Sequence, residues 1–458
     1  MNPMLSFKYT VFFMKSSKMA SSFLCGLLVL TGISFPATES LRAQSLYFPP
    51  LTGDEWQTVS PASLGWCVEE TDSLYQFLET ENSKAFILLK DGKIVLEKYF
   101  GSFTADSIWY WASAGKSLTG FTTGIAQREG FLSIEDTSSH YLGQGWTACT
   151  AAFEDNIQIR NQLSMTTGLN DAVAEPDCTL DSCLECVAAA GERWAYHNAP
   201  YTLMDQVISA ATGMSLNSYI NSRIRVHTGI TGLFIPSGYN NTFYSRPRSM
   251  ARFGLLILNK GVWDQTDVLG DSAYFSAMTS TSNPFNASYG YLWWLNGKSS
   301  FMLPGLQFVF QGPLFPDAPS DVLAALGKNG QIINVAPAAR LVFIRMGNAP
   351  QEGGLITPLF SNEIWKHLNK LMCGAAAIQD NQPDKTANLI HENPVTKLLK
   401  ISAFRGLADV TLEIYDLGGS RLMSASGNEI NVESLAPGAY LLSLCNNDQQ
   451  YRQVFIKQ

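Results

Sequence analysis

The chain reads as an α+β protein: an antiparallel sheet flanked by helices with an inserted helical domain, followed by a small C-terminal all-β sandwich. Three observations predict this. A two-strand pattern near residues 85–100 is matched by another near residues 331–346. The stretch between them is dominated by apolar residues at helical spacing, so a sheet built from both ends of the chain would carry helices inserted in the middle. Beyond residue 394 the texture changes to short alternating runs with Gly, Pro and Asn between them, which suits a small sandwich.

The elements follow in order. Residues 1–43 read as a signal peptide, with Lys15 and Lys18 basic, Phe23 to Phe35 apolar, and Leu41-Arg42-Ala43 supplying small-residue cleavage chemistry. The apolar run is shorter than the roughly 20 residues a membrane span needs. Residues 44–373 form the main domain, 374–394 a polar linker and 395–458 the sandwich. Within the main domain a helix is expected from Ala62 to Leu78. Strands Ala85 to Lys90 and Lys93 to Phe100 flank Asp91-Gly92, a type I′ turn signal because both central residues need positive φ. Helical spacing recurs from Ser113 through Ala126, then over Ile159 to Met165, Tyr201 to Thr212, Leu216 to Val226 and Arg248 to Asn259. Strands Gln331 to Val335 and Leu341 to Met346 surround Pro337, which cannot donate to a ladder and marks the turn, and an amphipathic helix runs from Leu359 to Met372.

Composition narrows the class of function. With 46% hydrophobic and 15% charged residues the chain is globular, and its net charge of −8 gives no support to nucleic-acid or anionic-membrane binding. Of eight cysteines, Cys25 belongs to the signal peptide. An odd number remains for an oxidising compartment, so at least one stays unpaired. Cys183-x-x-Cys186 lacks the second ligand pair that a structural zinc site needs. The expectation is a local disulfide from Cys178 to Cys183 or Cys186, with no metal and no cofactor.

Chemistry points to three short motifs. Ser113 and Lys116, at i and i+3, share one helix face, so the lysine amine reaches the hydroxyl it would deprotonate once burial lowers its pKa. The Ser113 N–H, at a helix N-terminus, faces a developing oxyanion. Tyr196-His197-Asn198 supplies a phenol that relays a proton and an amide for a substrate carbonyl or for Lys116, with His197 structural. The rival Tyr239-Asn240-Asn241 lies in a Gly/Asn-rich turn and is set aside. Tyrosine acts as a base only if cations lower its pKa, a task for Lys116 and Lys328. Gly327-Lys328-Asn329-Gly330-Gln331 opens a strand whose glycines let substrate lie close to backbone and whose edge would bind it, with Lys328 on a carboxylate and the Gln331 N–H as second oxyanion donor. A Ser-His-Asp triad competes weakly, since none of the five histidines sits in an Asp-then-His setting.

Together these motifs resemble the serine β-lactamase and penicillin-binding-protein superfamily, closest to class C-type β-lactamase-related esterases and amide hydrolases. Leu163 to Leu169, Gly191 to Tyr201, Met250 to Leu256, Tyr289 to Trp294 and Val335 to Gly347 extend the likeness over roughly residues 65–373. The resemblance implies Ser113 as the acylated nucleophile, Lys116 as its base and Tyr196 as partner base in deacylation. It places Asn198 third in the Tyr-x-Asn motif and puts Lys328, Asn329 and Gly330 in the Lys-Thr-Gly place. Asn329 stands where true β-lactamases commonly carry a hydroxyl that helps bind the β-lactam carboxylate, which favours an ester or linear amide. A D,D-peptidase, a β-lactamase or a non-turnover binding protein are the alternatives. Residues from Asn393-Pro394 onward, with Ile414 to Gly419, Leu435 to Leu441 and the terminal Phe455-Ile456-Lys457, resemble a type IX secretion C-terminal sorting domain. That likeness implies export through the periplasm and outer membrane to the surface or medium, with the type IX machinery as partner.

Overall fold

The computed structural model describes residues 45–350, 357–373, 390, 394–401, 411–416, 421–446 and 449–457. Residues 1–43, read from sequence as a signal peptide, and most of residues 374–394, read as a linker, lie outside the described residues. Helix α1 (Glu70–Thr80) begins later than its apolar spacing suggests. Gly65 at φ 72° ends a separate 3-10 turn, Pro61–Leu64, because a left-handed residue stops helix propagation. Strands β1 (Ser83–Lys90) and β2 (Lys93–Tyr99) form the expected hairpin, with Asp91 and Gly92 at φ 53° and 82°.

Strand β3 (Trp109–Tyr110) leads through a 3-10 turn, Ala112–Ala114, into helix α2 (Gly115–Arg128). The inserted helical region follows, including α3 (Asn198–Thr202) and α4 (Met204–Thr212), and then the hairpin of β4 (Leu233–Ser237) and β5 (Asn240–Ser245). Helix α5 (Pro247–Leu258) returns the chain to the sheet. That sheet is completed by β6 (Trp294–Leu295), β7 (Leu323–Gly327), β8 (Gln331–Ala336) and β9 (Leu341–Gly347), and α6 (Thr357–Leu371) closes the domain.

The six strands are antiparallel in the order β2-β1-β9-β8-β7-β6, so the two chain ends meet at the β1–β9 pairing. Both faces are covered, which is why β1, β8 and β9 are apolar almost throughout rather than alternating. Trp365 of α6 packs edge-on against Phe343 on one face. On the other, Gly254 lets α5 approach so closely that an added Cβ would lie 2.5 Å from Val342 Cγ1. The C-terminal strands form a four-stranded sheet and a two-stranded sheet around Leu399, Leu412, Ile414, Ile430, Leu442 and Phe455. The α+β class with an all-β C-terminal unit is therefore as the sequence indicates.

Six of the cysteines form three disulfides: Cys67–Cys373, Cys149–Cys186 and Cys178–Cys183. The short loop closes on Cys183, and Cys186 takes a partner from across the helical region, which spacing alone could not reveal. With both thiols oxidised, Cys183-x-x-Cys186 has no thiolates to offer zinc. Cys67–Cys373 ties the chain entering α1 to the chain leaving α6 across 306 residues. Replacing both by Ser should lower stability by about 2–5 kcal/mol, because the unfolded chain regains the freedom of a very long loop. Chemical denaturation of the double variant beside the parent reads this directly.

Candidate active site

Ser113 sits where β3 turns into α2. Trp111 is fully buried, donates its Nε1–H to Ser245 Oγ at 2.8 Å, and is held by its N–H on Phe243 O at 2.8 Å. Ala112 then takes φ 47°, a left-handed conformation that costs a side-chain-bearing residue about 1–3 kcal/mol. That turn lifts the partly exposed Ser113 from the core at the start of a helix buried along almost its whole length. Lys116, one turn on, is 4% exposed, and its Nζ donates to Ser113 Oγ at 3.1 Å.

The surroundings set the proton affinities. Lys116 Nζ lies 4.2 Å from the ring centre of Tyr201 and 5.3 Å from that of Tyr196. Burial lowers its pKa to about 7, opposed by the Asp177 carboxylate. Tyr196 stacks on Trp294 at 5.8 Å, with Tyr289 edge-on at 6.1 Å. Burial pushes its phenol well above the ordinary tyrosine value, the nearby Ser113 hydroxyl pulling the other way. The expectation that cations depress Tyr196 is not met. The lysine is the group prepared to accept a proton near neutrality, and the tyrosine stays a neutral hydrogen-bonding relay.

Asn198, at the start of α3, donates Nδ2–H to Asp177 Oδ1 at 2.7 Å, and Asn240 donates to Asp177 Oδ2 at 2.9 Å. The Asn198 amide nitrogen is thus committed to a carboxylate rather than free for a substrate carbonyl. His197 is buried and held neutral, its pKa lowered to about 4 chiefly by desolvation. It makes no hydrogen bond to Ser113, which leaves the triad reading without its histidine.

The third motif lies elsewhere than expected. Lys328, Asn329 and Gly330 form the hairpin turn between β7 and β8, with Asn329 at φ 64° and Gly330 at φ 71°. Asparagine suits that position because it tolerates the left-handed region. Asn329 Nδ2 donates to Tyr110 OH at 2.8 Å, Gly330 packs on Arg345 and Phe360, and Lys328 is exposed. Lys328 is not among the groups acting on Tyr196. Gln331 is fully buried on β8, one strand inside the edge, paired with Gly327, and its side chain donates to Gly347 O at 2.6 Å.

The strand facing the nucleophile is β7. Its outer side is paired by β6 only at Leu323 and Ala324, and beyond them Gly327 abuts the Ser113 turn. A Cβ on Gly327 would lie 2.3 Å from Trp111 O and 3.0 Å from the nitrogens of Ser113 and Ala114. The backbone lying against the Ser113 turn is therefore the β7 end near Gly327, while Gln331, expected as the second oxyanion donor, lies on the next strand. Sequence reasoning gave no role to Asp177, Tyr201 or the aromatic wall of Trp294 and Tyr289, and it read Gly327 only as the first glycine of the third motif. The cue for Gly327 was a glycine ending an apolar run just before the turn; Asp177 gave none beyond lying next to Cys178.

The main domain and the C-terminal strands each match known families. Residues 79–355 match the Beta-lactamase family and residues 390–458 the Secretion system C-terminal sorting domain. A Bacillus anthracis structure named for a 6-aminohexanoate-dimer hydrolase is similar at 18% identity and TM-score 0.54, covering 72% of this chain and 91% of its own. A Bacteroides dorei structure named for a β-lactamase gives 17% and 0.55, covering 67% and 99%. EstA from Arthrobacter nitroguajacolicus Rue61a gives 15% and 0.52, covering 70% and 99%. At these identities the likeness is one of fold.

Two outcomes follow from the geometry. With neutral Lys116 as base, kcat/KM for a p-nitrophenyl ester should rise with pH through about 7 and level off above it, since only the deprotonated amine accepts the Ser113 proton. A pH–rate profile checks this, and Lys116→Arg, which stays charged, should lose the activity. Gly327→Ala should cut kcat/KM at least ~10-fold and lower the melting temperature, because its Cβ would meet backbone that cannot move aside.

Proposed function

The chain belongs to the Beta-lactamase family of serine hydrolases and carries a C-terminal sorting domain for export to the cell surface or beyond, and from that premise we propose that it hydrolyses an ester or amide through a Ser113 acyl-enzyme. The observation that carries the reading is the Ser113–Lys116 pair, 3.1 Å apart, with a buried lysine poised near neutral pH and a serine open to solvent. Ser113 Oγ attacks the carbonyl carbon, and its proton passes to Lys116 directly or through the Tyr196 hydroxyl. The oxyanion is held by the Ser113 N–H and by β7 backbone near Gly327. The leaving group takes the proton back through Tyr196 as the C–O or C–N bond breaks. Water, deprotonated by the same pair, then attacks the acyl carbon and restores Ser113.

β-Lactams suit this site poorly. The turn residues expected to hold a carboxylate are an exposed Lys328 and an Asn329 engaged with Tyr110. A D,D-peptidase remains the second reading on the same machinery. Residues 1–43 act as signal peptide, 44–373 as the hydrolase and 395–458 as the sorting label, which places the enzyme's substrates outside the cytoplasm.

Intact-protein mass spectrometry after treatment with a fluorophosphonate, p-nitrophenyl acetate and a penicillin, alongside steady-state nitrophenol release, tests the reading. A Ser113 adduct with continuing turnover supports it, and Ser113→Ala should remove the adduct and lower turnover by about 10³-fold or more. Labelling without turnover would make the protein a binding or sensor module. No adduct on folded protein would end the serine hydrolase reading.

A further inference from the structure

We infer that the cluster of Asp177, Asn198 and Asn240, gathered near Lys116, selects substrates bearing a nitrogen hydrogen-bond donor, an ammonium group above all. This rests on the hydrolase reading and names its substrate class. Asp177 receives one amide N–H on each oxygen, from Asn198 at 2.7 Å and Asn240 at 2.9 Å. An ionised carboxylate accepts only, so it fixes both amides with nitrogen toward itself and oxygen away. The Asn198 Oδ1 is accordingly buried and without a hydrogen-bond partner. An orphaned buried acceptor is costly and is relieved by a ligand that donates.

The charge balance points the same way. The neighbouring Asp171 is paired with Arg193, whereas Asp177 forms no salt bridge among the described residues. Its two amide partners leave its charge uncompensated beside a lysine that burial drives toward the neutral form. Lys328, the cation expected to receive an anionic substrate group, is exposed on the β7–β8 turn. The fixed charge beside Lys116 is therefore negative, and a cationic donor is its complement.

The cluster is also built to be rigid. Asp177 precedes Cys178, whose disulfide to Cys183 closes the loop, and Cys186 is tied to Cys149. The loop base is clamped by Asn170 N–H on Glu185 O at 2.8 Å and by Val187 N–H on Gly168 O at 3.0 Å. A carboxylate anchored this way discriminates between ligands better than one on a loose loop.

The test uses the secreted protein with its disulfides intact and two nearly isosteric acyl donors, the p-nitrophenyl esters of β-alanine and of butanoic acid. They differ in an ammonium group against a methyl group. The wild type should favour the β-alanine ester by ten-fold or more in kcat/KM after subtraction of spontaneous hydrolysis, with the preference shrinking as salt is raised. The ratio should fall close to one in Asp177→Asn and be partly kept in Asp177→Glu, and because it is taken within each variant, damage common to both esters cancels. A wild-type ratio near one, or a ratio unchanged in Asp177→Asn, overturns the inference and leaves the hydrolase reading standing. Turnover of neither ester, with no fluorophosphonate adduct on Ser113, overturns both.

Discussion

The site depends on one lysine being kept dry. In water an amine with a pKa near 10 is protonated and useless as a base at neutral pH. Lys116 is placed on the inner side of α2 between the faces of Tyr196 and Tyr201, and desolvation brings its pKa to about 7. Two weaker effects oppose this, the aromatic rings through their negative faces and Asp177 through its charge. The balance matters because a lysine forced far below neutrality would be too weak a base to take a serine proton. What surrounds Lys116 is best understood as the means of holding that balance. Tyr196 is locked by Trp294 and Tyr289, and the loop bearing Asp177 is closed by disulfides.

The second constraint is steric. A serine on a helix start becomes reactive only if a backbone donor lies opposite its own N–H, which requires a strand to run against the turn at van der Waals distance. Gly327 permits this, and the far side of the sheet holds it in place. Arg345, fully buried on β9, donates to Asn329 O at 2.7 Å, Gly330 O at 3.1 Å, Glu81 O at 2.6 Å and Asn348 O at 3.0 Å. Its guanidinium thereby binds the β7–β8 turn to the end of α1 through carbonyls, and its Nε–H donates to Ser83 Oγ at 3.0 Å. A buried cation satisfied in this way is expensive to disturb, since losing the side chain would strand several acceptors together. The motif read as substrate-binding is thus part of the support behind the edge strand.

What the sequence made legible followed from local rules. Ser113 and Lys116 were found because i and i+3 share a helix face whatever the fold. The β1–β2 hairpin was found because Asp91-Gly92 satisfies a turn with two positive φ angles. Tyr196 was separated from Tyr239 by the helix that follows it. The failures came where tertiary placement decides. Leu323-Ala-Ala-Leu-Gly327 has no β-branched or aromatic residue and so carries little strand signal, although it supplies the edge of the site. With β7 unrecognised, the next glycine-rich turn was taken for the site strand, and Gln331 was credited with a role one strand too far in. Asp177 and Cys149 were missed for a related reason: each meets its partners across long sequence separations or within an irregular loop, where spacing carries no information.

The sorting domain bears on the Asp177 loop through the redox state of the compartment for which the chain is labelled. The loop that presents Asp177 has little regular structure of its own, a 3-10 turn at Asp181–Cys183 apart, and relies on two disulfides to hold its shape. Such bonds persist where thiols are oxidised and are rare in the cytosol. A chain labelled for export is therefore one in which this loop can be closed covalently, and a chain kept in a reducing compartment would present Asp177 on a slack segment. The loss would fall unevenly. Ser113, Lys116 and Tyr196 stand on the turn preceding α2, on α2 itself and on a segment packed against Trp294, all supported by the core without a disulfide. The orientation of the Asn198 amide depends on Asp177 and so on the loop. Ser113 and Lys116 thus rest on the core, while the loop carrying Asp177 rests on covalent bonds that an oxidising destination allows.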